Sequence, residues 1–212
     1  GTFIPAFLFC LAETRIDSNL AGFLNSFTPI STLLIGWLFF RLRFAPHKYV
    51  GVLIAFLGMA LLFWAHLHTS SQDLYYSLLV LAATFCYGWN VNIGSHQLRE
   101  VPALQIAALA FSLLILPSLL VLQYSGFFSH TPDREYWISV SASTLLGVLG
   151  TAIASIWFYR LMKVSGPLFA SMVTYGIPFV ALAWGVYYQE TLHALQVAGL
   201  AIILAGVYTA SK

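Results

Sequence analysis

The sequence predicts an all-α, multi-pass membrane protein built as an inverted repeat, a five-plus-five helix bundle. Three observations lead there: too few charges for a water-facing surface, uncharged stretches of spanning length, and a match between two parts of the chain. Of 212 residues, 60% are hydrophobic and 8% charged, against about a quarter charged in a typical soluble domain. Disordered chains are excluded from the opposite side, because low hydrophobicity is what keeps them open. Cys10 and Cys86 both lie in apolar runs and read as small buried fillers, not as a disulfide or metal pair.

Charge spacing sets the spans. Uncharged stretches run over 18–40, 49–72, 74–98, 101–132, 136–159, 164–189 and 191–211. Each exceeds the roughly 20 residues needed to cross a hydrocarbon core of about 30 Å as a helix. No pattern of short alternating strands marks a barrel. An eighth stretch, Gly1 to Ala12, is apolar but too short to cross, and reads as the second half of a cut helix. Counting it as the first of eight spans, seven of the nine Lys and Arg fall in loops on one side: Arg41, Arg43, Lys48, Arg99, Arg160, Lys163 and Lys212. Arg15 and Arg134 fall on the other. The positive-inside bias places the first side, and the C-terminus, in the cytoplasm of an inner membrane.

Spans one to three match spans six to eight. At a shift of 149 positions Phe9 falls on Phe158, Ala21 on Ala170, Pro29 on Pro178, Leu33 on Leu182 and Gly36 on Gly185. At a shift of 148, Gly51 meets Gly199, Ile54 meets Ile202 and Gly58 meets Gly206. The ordered proline and glycine pairs carry the information, since chance identities are common between apolar sequences. An offset of five helices is odd, so the copies cross the membrane in opposite directions, as in secondary transporters. Residues 1–66 then form the remainder of one repeat and 74–212 a full second one. Carried back by 149 positions, Leu74 falls about 75 residues before Gly1. The expectation is a ten-helix protein whose first two helices lie outside this chain, with the third cut short.

The stretch Ala152–Glu190, AIASIWFYRLMKVSGPLFASMVTYGIPFVALAWGVYYQE, followed by Gly199 and Gly206, resembles the half-repeat of EamA-type transporters of the drug/metabolite transporter superfamily. Its marks are a basic turn, a small-residue helix with a mid-membrane proline, a glutamate just past that helix, and a final helix with glycines seven apart. Phe7–Leu62 fits the same pattern with one departure: Arg41 stands in the slot of Glu190. The resemblance implies a transporter of small metabolites. It leaves the cargo open among amino acids, sugars, amines, nucleotide precursors and drugs.

Polar groups within the spans supply the candidate site. In span two Asn25, Ser26 and Thr28 precede Pro29, and in span seven Thr174, Tyr175 and Gly176 precede Pro178. A proline cannot donate to the carbonyl four residues back, so those of Asn25 and Thr174 are freed. Two equivalent loosened turns are expected to face each other at a repeat interface, where transporters place substrate. Span four adds Tyr87, Trp89 and Asn90, and span six adds Trp157 as a wall residue. Asn90 and Asn92 lie about 200° apart at about 100° per residue, so one of them faces away and bonds a neighbouring helix. Pro29, Pro178, Gly51, Gly58, Gly199, Gly206 and Glu190 are read as structural or gating positions.

The function this predicts is secondary transport of an amino acid, amine or drug-like compound by alternating access, in the export direction. No carboxylate sits in the middle of a span, which argues against proton coupling through this part of the protein. Neither HExxH nor GxSxG occurs, nor a nucleotide loop, so the reading is of a non-enzyme without cofactor or metal. The expected partners are a small-molecule substrate and the lipid bilayer, with no nucleic acid, and the oligomeric state is unset. A non-transporting membrane receptor or assembly subunit is the alternative.

Overall fold

A computed structural model describes residues 2–16, 18–63, 73–129, 132–187 and 194–211, and Glu190 lies outside them. The described residues are mostly helical, with no strand among them. The first span is α1 (Phe3–Ala12), and the second is split into α2 (Ser18–Asn25) and α3 (Thr28–Phe40). Then come α4 (Pro46–Phe63), α5 (Asp73–His96) and α6 (Ala103–Tyr124). The sixth span opens with α7 (Arg134–Leu145), whose first turn is capped by Asp133 accepting from the Tyr136 N–H at 2.7 Å. It passes through a π-helical stretch, Leu146–Ile153, into α8 (Ala154–Ser171). A tight 3-10 turn, Met172–Gly176, leads to α9 (Ile177–Tyr187), and α10 (Ala194–Ser211) follows.

Among the described residues five helical stretches are long and apolar enough to cross a bilayer. One of them, Arg134–Val180, has 47 residues. At about 1.5 Å per residue that is about 70 Å, over twice the hydrocarbon thickness. It contains Gly166 at φ 84, ψ 170, followed by Pro167, a conformation that reverses the chain. This one stretch is therefore two crossings, divided just past the Arg160–Lys163 basic turn that the charge pattern marked. Large apolar side chains face outward along the spans, among them Leu113 at 78% and Leu116 at 74% exposure. Such a surface belongs in lipid, not water.

In lipid the helices gain little by burying apolar area, so close contact of small residues and buried hydrogen bonds hold them together. The tightest pair is α4 with α10. A Cβ placed on Gly51 would lie 2.6 Å from the Gly206 carbonyl oxygen, and one on Gly58 would lie 2.8 Å from that of Gly199. The contact is reciprocal. The repeat pairs Gly51 with Gly199 and Gly58 with Gly206, and exchanging the copies turns the first contact into the second. That is the signature of a two-fold relation, and the partners run in opposite directions along the two helices, as an inverted repeat requires. Val52, Ala55, Met59 and Ile203 fill the core around this seam.

Helix α5 packs chiefly on α3 and α1. Its contact stripe is Thr84, Gly88 and Asn92, spaced four apart so that one face carries all three. Thr84 and Ser31 hydroxyls bond at 3.1 Å, and the bare Gly88 lets α5 approach the Ser31–Thr32 backbone, where a Cβ would meet atoms at 2.9 Å. The Asn92 amide donates to the Thr32 carbonyl at 3.0 Å. Arg41 ends α3 in the left-handed region at φ 53, and the Leu42 N–H returns to the Gly36 carbonyl at 2.9 Å. The slot that holds Glu190 in the second copy is thus a helix stop in the first.

Candidate functional site

The two proline-marked turns come together at one cavity of about 740 Å³. Their local geometry differs from the loosened turns that proline alone predicts. In span two the Ser26 and Phe27 N–H groups donate three residues back, to Phe23 and Leu24. In span seven the equivalent turn is 3-10. Both copies therefore tighten before the proline. Each carbonyl that proline orphans is also taken up. The Thr28 hydroxyl donates to the Asn25 carbonyl at 2.7 Å, while in span seven the Ile177 N–H donates to that of Thr174. Thr28 and Ile177 are repeat-equivalent, so the same position solves the same problem with a side chain in one copy and backbone in the other. Pro29 and Pro178 are fully buried behind these turns.

Asn25 and Thr28 line the cavity from span two, and Thr174 and Ile177 line it from span seven. Tyr87, Asn90 and Val91 of α5 form another wall, and the π-helical stretch and α8 the next, from Leu149 through Trp157 to Leu161. A π-turn widens a helix by one residue and is frequent at functional sites. Here it sits where span six enters the wall. The lining is mostly apolar, of aliphatic and aromatic side chains with a few hydroxyls and two amides set among them, and with no Asp, Glu, Lys or Arg among the described residues. Trp157 stands at the rim, 67% exposed, with the Arg160 guanidinium 5.9 Å from its ring centroid.

Six of the eight candidate binding residues thus share this cavity: Asn25, Thr28, Tyr87, Asn90, Trp157 and Thr174. Two lie elsewhere. Trp89 points away from it and stacks against Phe39 at 4.7 Å between centroids. Tyr175 is 1% exposed in the α4–α10 core, where its hydroxyl reaches the Val52 carbonyl at 3.4 Å. Each sits one residue from a lining position, and about 100° of helical rotation carries it off the wall. Asn92 is the asparagine that bonds the neighbouring helix. Ser155, Phe158, Tyr159 and Ser171 also line the cavity and were not singled out from sequence. Projecting the helical face three residues back and four on from Trp157 finds Ala154 and Leu161.

The model of the EamA-like transporter family matches residues 1–64 and 74–212. The chain belongs to the EamA-like transporter family. It is a multi-pass membrane protein of a transporter family, not of an enzyme family, and its partners are the bilayer and a small-molecule substrate. An "Uncharacterized transporter" of Archaeoglobus fulgidus is 26% identical over 205 residues, covering 93% of this chain and 69% of the relative. A "Probable amino-acid metabolite efflux pump" of Salmonella typhimurium is 28% identical over 219 residues, covering 96% of this chain and 70% of the relative. A solved crystal structure superposes with a TM-score of 0.77 at 20% identity, over 99% of this chain and 74% of that one. At that identity the likeness concerns the fold. The EamA-like half-repeat explains why the prolines and glycines recur: both copies need the same tight turn and the same helix seam.

Proposed function

We propose that this protein carries an amino acid or related small metabolite outward across the cytoplasmic membrane by alternating access at the cavity described above. The observation that carries the reading is the meeting of two repeat-equivalent turns, Asn25–Thr28 and Thr174–Ile177, on one cavity wall. Neutral donors and acceptors beside aromatic rings suit a zwitterion or an aromatic amine, which needs orientation without a fixed counter-charge. The relative named as an amino-acid metabolite efflux pump supports both the cargo class and the direction. The units that move are not simply the two copies, residues 1–66 and 74–212. Helix α5 follows the first copy in sequence yet packs chiefly on its α1 and α3, so the bundles that rock exchange helices between repeats.

Right-side-out vesicles preloaded with labelled neutral, acidic and basic amino acids and aromatic amines test this. Neutral amino acids or aromatic amines are expected to leave faster than from vesicles lacking the protein. If no member of the panel moves, the receptor or assembly-subunit reading replaces transport.

The same reading sets the seven-charge face and the C-terminus toward the cytoplasm. Lys163 of one predicted inner loop donates to carbonyls of another, Leu98 at 3.1 Å and Arg99 at 2.7 Å, so the two loops share a side of the bundle. A single cysteine at Arg134 is expected to react with an impermeant thiol reagent from outside intact cells, and one at Arg99 only after permeabilisation. The opposite pattern reverses the topology.

A further inference from the structure

Below the cavity, toward the basic loops, α5 and α8 come together in layers. Asn90 on α5 and Phe158 and Tyr159 on α8 belong to the cavity wall. One helical turn further, about 6 Å down, Gly94 faces Met162. The Met162 side chain is fully buried and fills the notch left by the missing side chain, its Cε 2.6 Å from where a Gly94 Cβ would stand. Val91, Tyr159 and Ala170 pack around this plug. The next residue after Met162 is Lys163, whose side chain reaches on toward the basic loops. Its ammonium donates to the carbonyls of Leu98, Arg99 and Val101, using its three hydrogens on the chain that leaves α5. Three residues later the chain reverses at Gly166. Toward the opposite end the same wall continues into Ile153 and Leu149, both exposed.

We propose that Met162 and Lys163 are the gate of this transporter on its basic face, a plug and a clamp that must part for the cavity to open there. This rests on alternating access at the cavity and adds which contacts separate the two access states. The chemistry fits a gate better than an anchor. An anchoring lysine extends its ammonium into the headgroup water, whereas Lys163 bends to carbonyls of the segment between α5 and α6. A bond of this kind closes a path firmly yet exchanges readily for water when the helices part. Methionine is suited to the plug, because its unbranched thioether repacks with little strain.

The test uses the full chain with Cys10 and Cys86 replaced by Ser and Ala, and Ser155→Cys as a reporter on the cavity wall. Methanethiosulfonate ethylsulfonate, which is membrane-impermeant, is applied to inside-out and right-side-out vesicles. With the gate intact, the reporter is expected to react from the face opposite Lys163 and only slowly from the Lys163 face. Lys163→Gln and Met162→Ala, measured separately, are each expected to raise the slow rate about fivefold by shifting the two-state balance. Lys163→Arg, which keeps donors and charge, is expected to restore the parent pattern. A slow-side rate that stays within about twofold of the parent in both variants overturns the gate. So does a parent reporter that already reacts equally from both faces. The amino-acid efflux assay separates the two ideas. Rates that respond where no amino acid moves sustain the gate and sink the cargo reading. Efflux in the parent with unresponsive rates sinks the gate alone.

Discussion

Gly51→Leu and Gly206→Leu are each expected to destabilise the fold strongly, because the atoms in the way are backbone. A Cβ on Gly51 would already lie 2.5 Å from the Ala210 nitrogen and 2.6 Å from the Gly206 carbonyl oxygen. A side chain can rotate away from an intruder, but a helix backbone can only move as a body. Overpacking typically destabilises by about 1–3 kcal/mol, and here the upper end or beyond applies, so a fall in Tm of about 10 °C is expected. Thermal unfolding followed by size-exclusion fluorescence in detergent measures it. Gly147→Leu is the control, since nothing lies within 4 Å of that position. The pseudo-symmetry sharpens the expectation. Gly58→Ala should resemble Gly206→Ala, because the repeat pairs these two glycines and each would set its Cβ against the backbone of the opposite helix. The pair Gly51→Ala with Gly206→Ala should destabilise by less than the sum of the singles, as both open the same seam. Strict additivity, or a Gly147→Leu as harmful as Gly51→Leu, would deny the seam its role.

Why these glycines were legible and the turning of Trp89 and Tyr175 away from the cavity was not is a matter of what each residue constrains. Glycine and proline act on the backbone. The inverted repeat writes each backbone requirement twice, so Gly51 with Gly199 and Pro29 with Pro178 stand out from a uniformly apolar background. Charges are equally plain: the Arg160–Lys163 turn marks the reversal that Gly166 then makes. Helical phase is a different matter. A helix apolar on all sides has no polar face to fix its rotation, so nothing in the local pattern says that Trp89 faces outward while Asn90, one residue on, lines the cavity. The same applies to Tyr175 beside Thr174. Ser155 and Ser171 were passed over because an isolated serine in a span has a ready local acceptor: Ser171 bonds the Leu168 carbonyl at 2.7 Å. The tightening of the two turns is not legible in the sequence either, since proline says which bond is lost but not which donor replaces it.

Asn90→Leu is expected to slow transport about tenfold in a stably folded protein, while Asn92→Leu is expected to lower stability and leave transport near the parent. The two residues sit on the same helix, two positions apart, and face about 200° from one another. The Asn92 amide is fully buried and donates to Thr32 on α3 at 3.0 Å and to Gly88 at 2.8 Å. Leucine there removes an interhelical bond, worth about 0.6–2 kcal/mol in a membrane bundle. It also sets a branched chain against Gly36, where a Cβ would already stand 2.8 Å from the Asn92 Oδ1. A Tm lowered by several degrees, with near-parent efflux per folded molecule, is the outcome at 92. Asn90 lies on the cavity wall, and its removal takes away a donor and an acceptor that a bound solute could use. A polar contact of about 1.5 kcal/mol lost from the transport step corresponds to about tenfold in rate, with Tm unchanged within about 2 °C. Efflux from preloaded vesicles, normalised to monodisperse protein, reads both variants in one experiment. If Asn90→Leu transports as well as the parent, the α5 wall does not touch cargo, and binding falls to the paired turns at Asn25–Thr28 and Thr174 alone. If Asn92→Leu abolishes efflux without lowering Tm, the α3–α5 contact is part of the moving machinery, not a fixed joint.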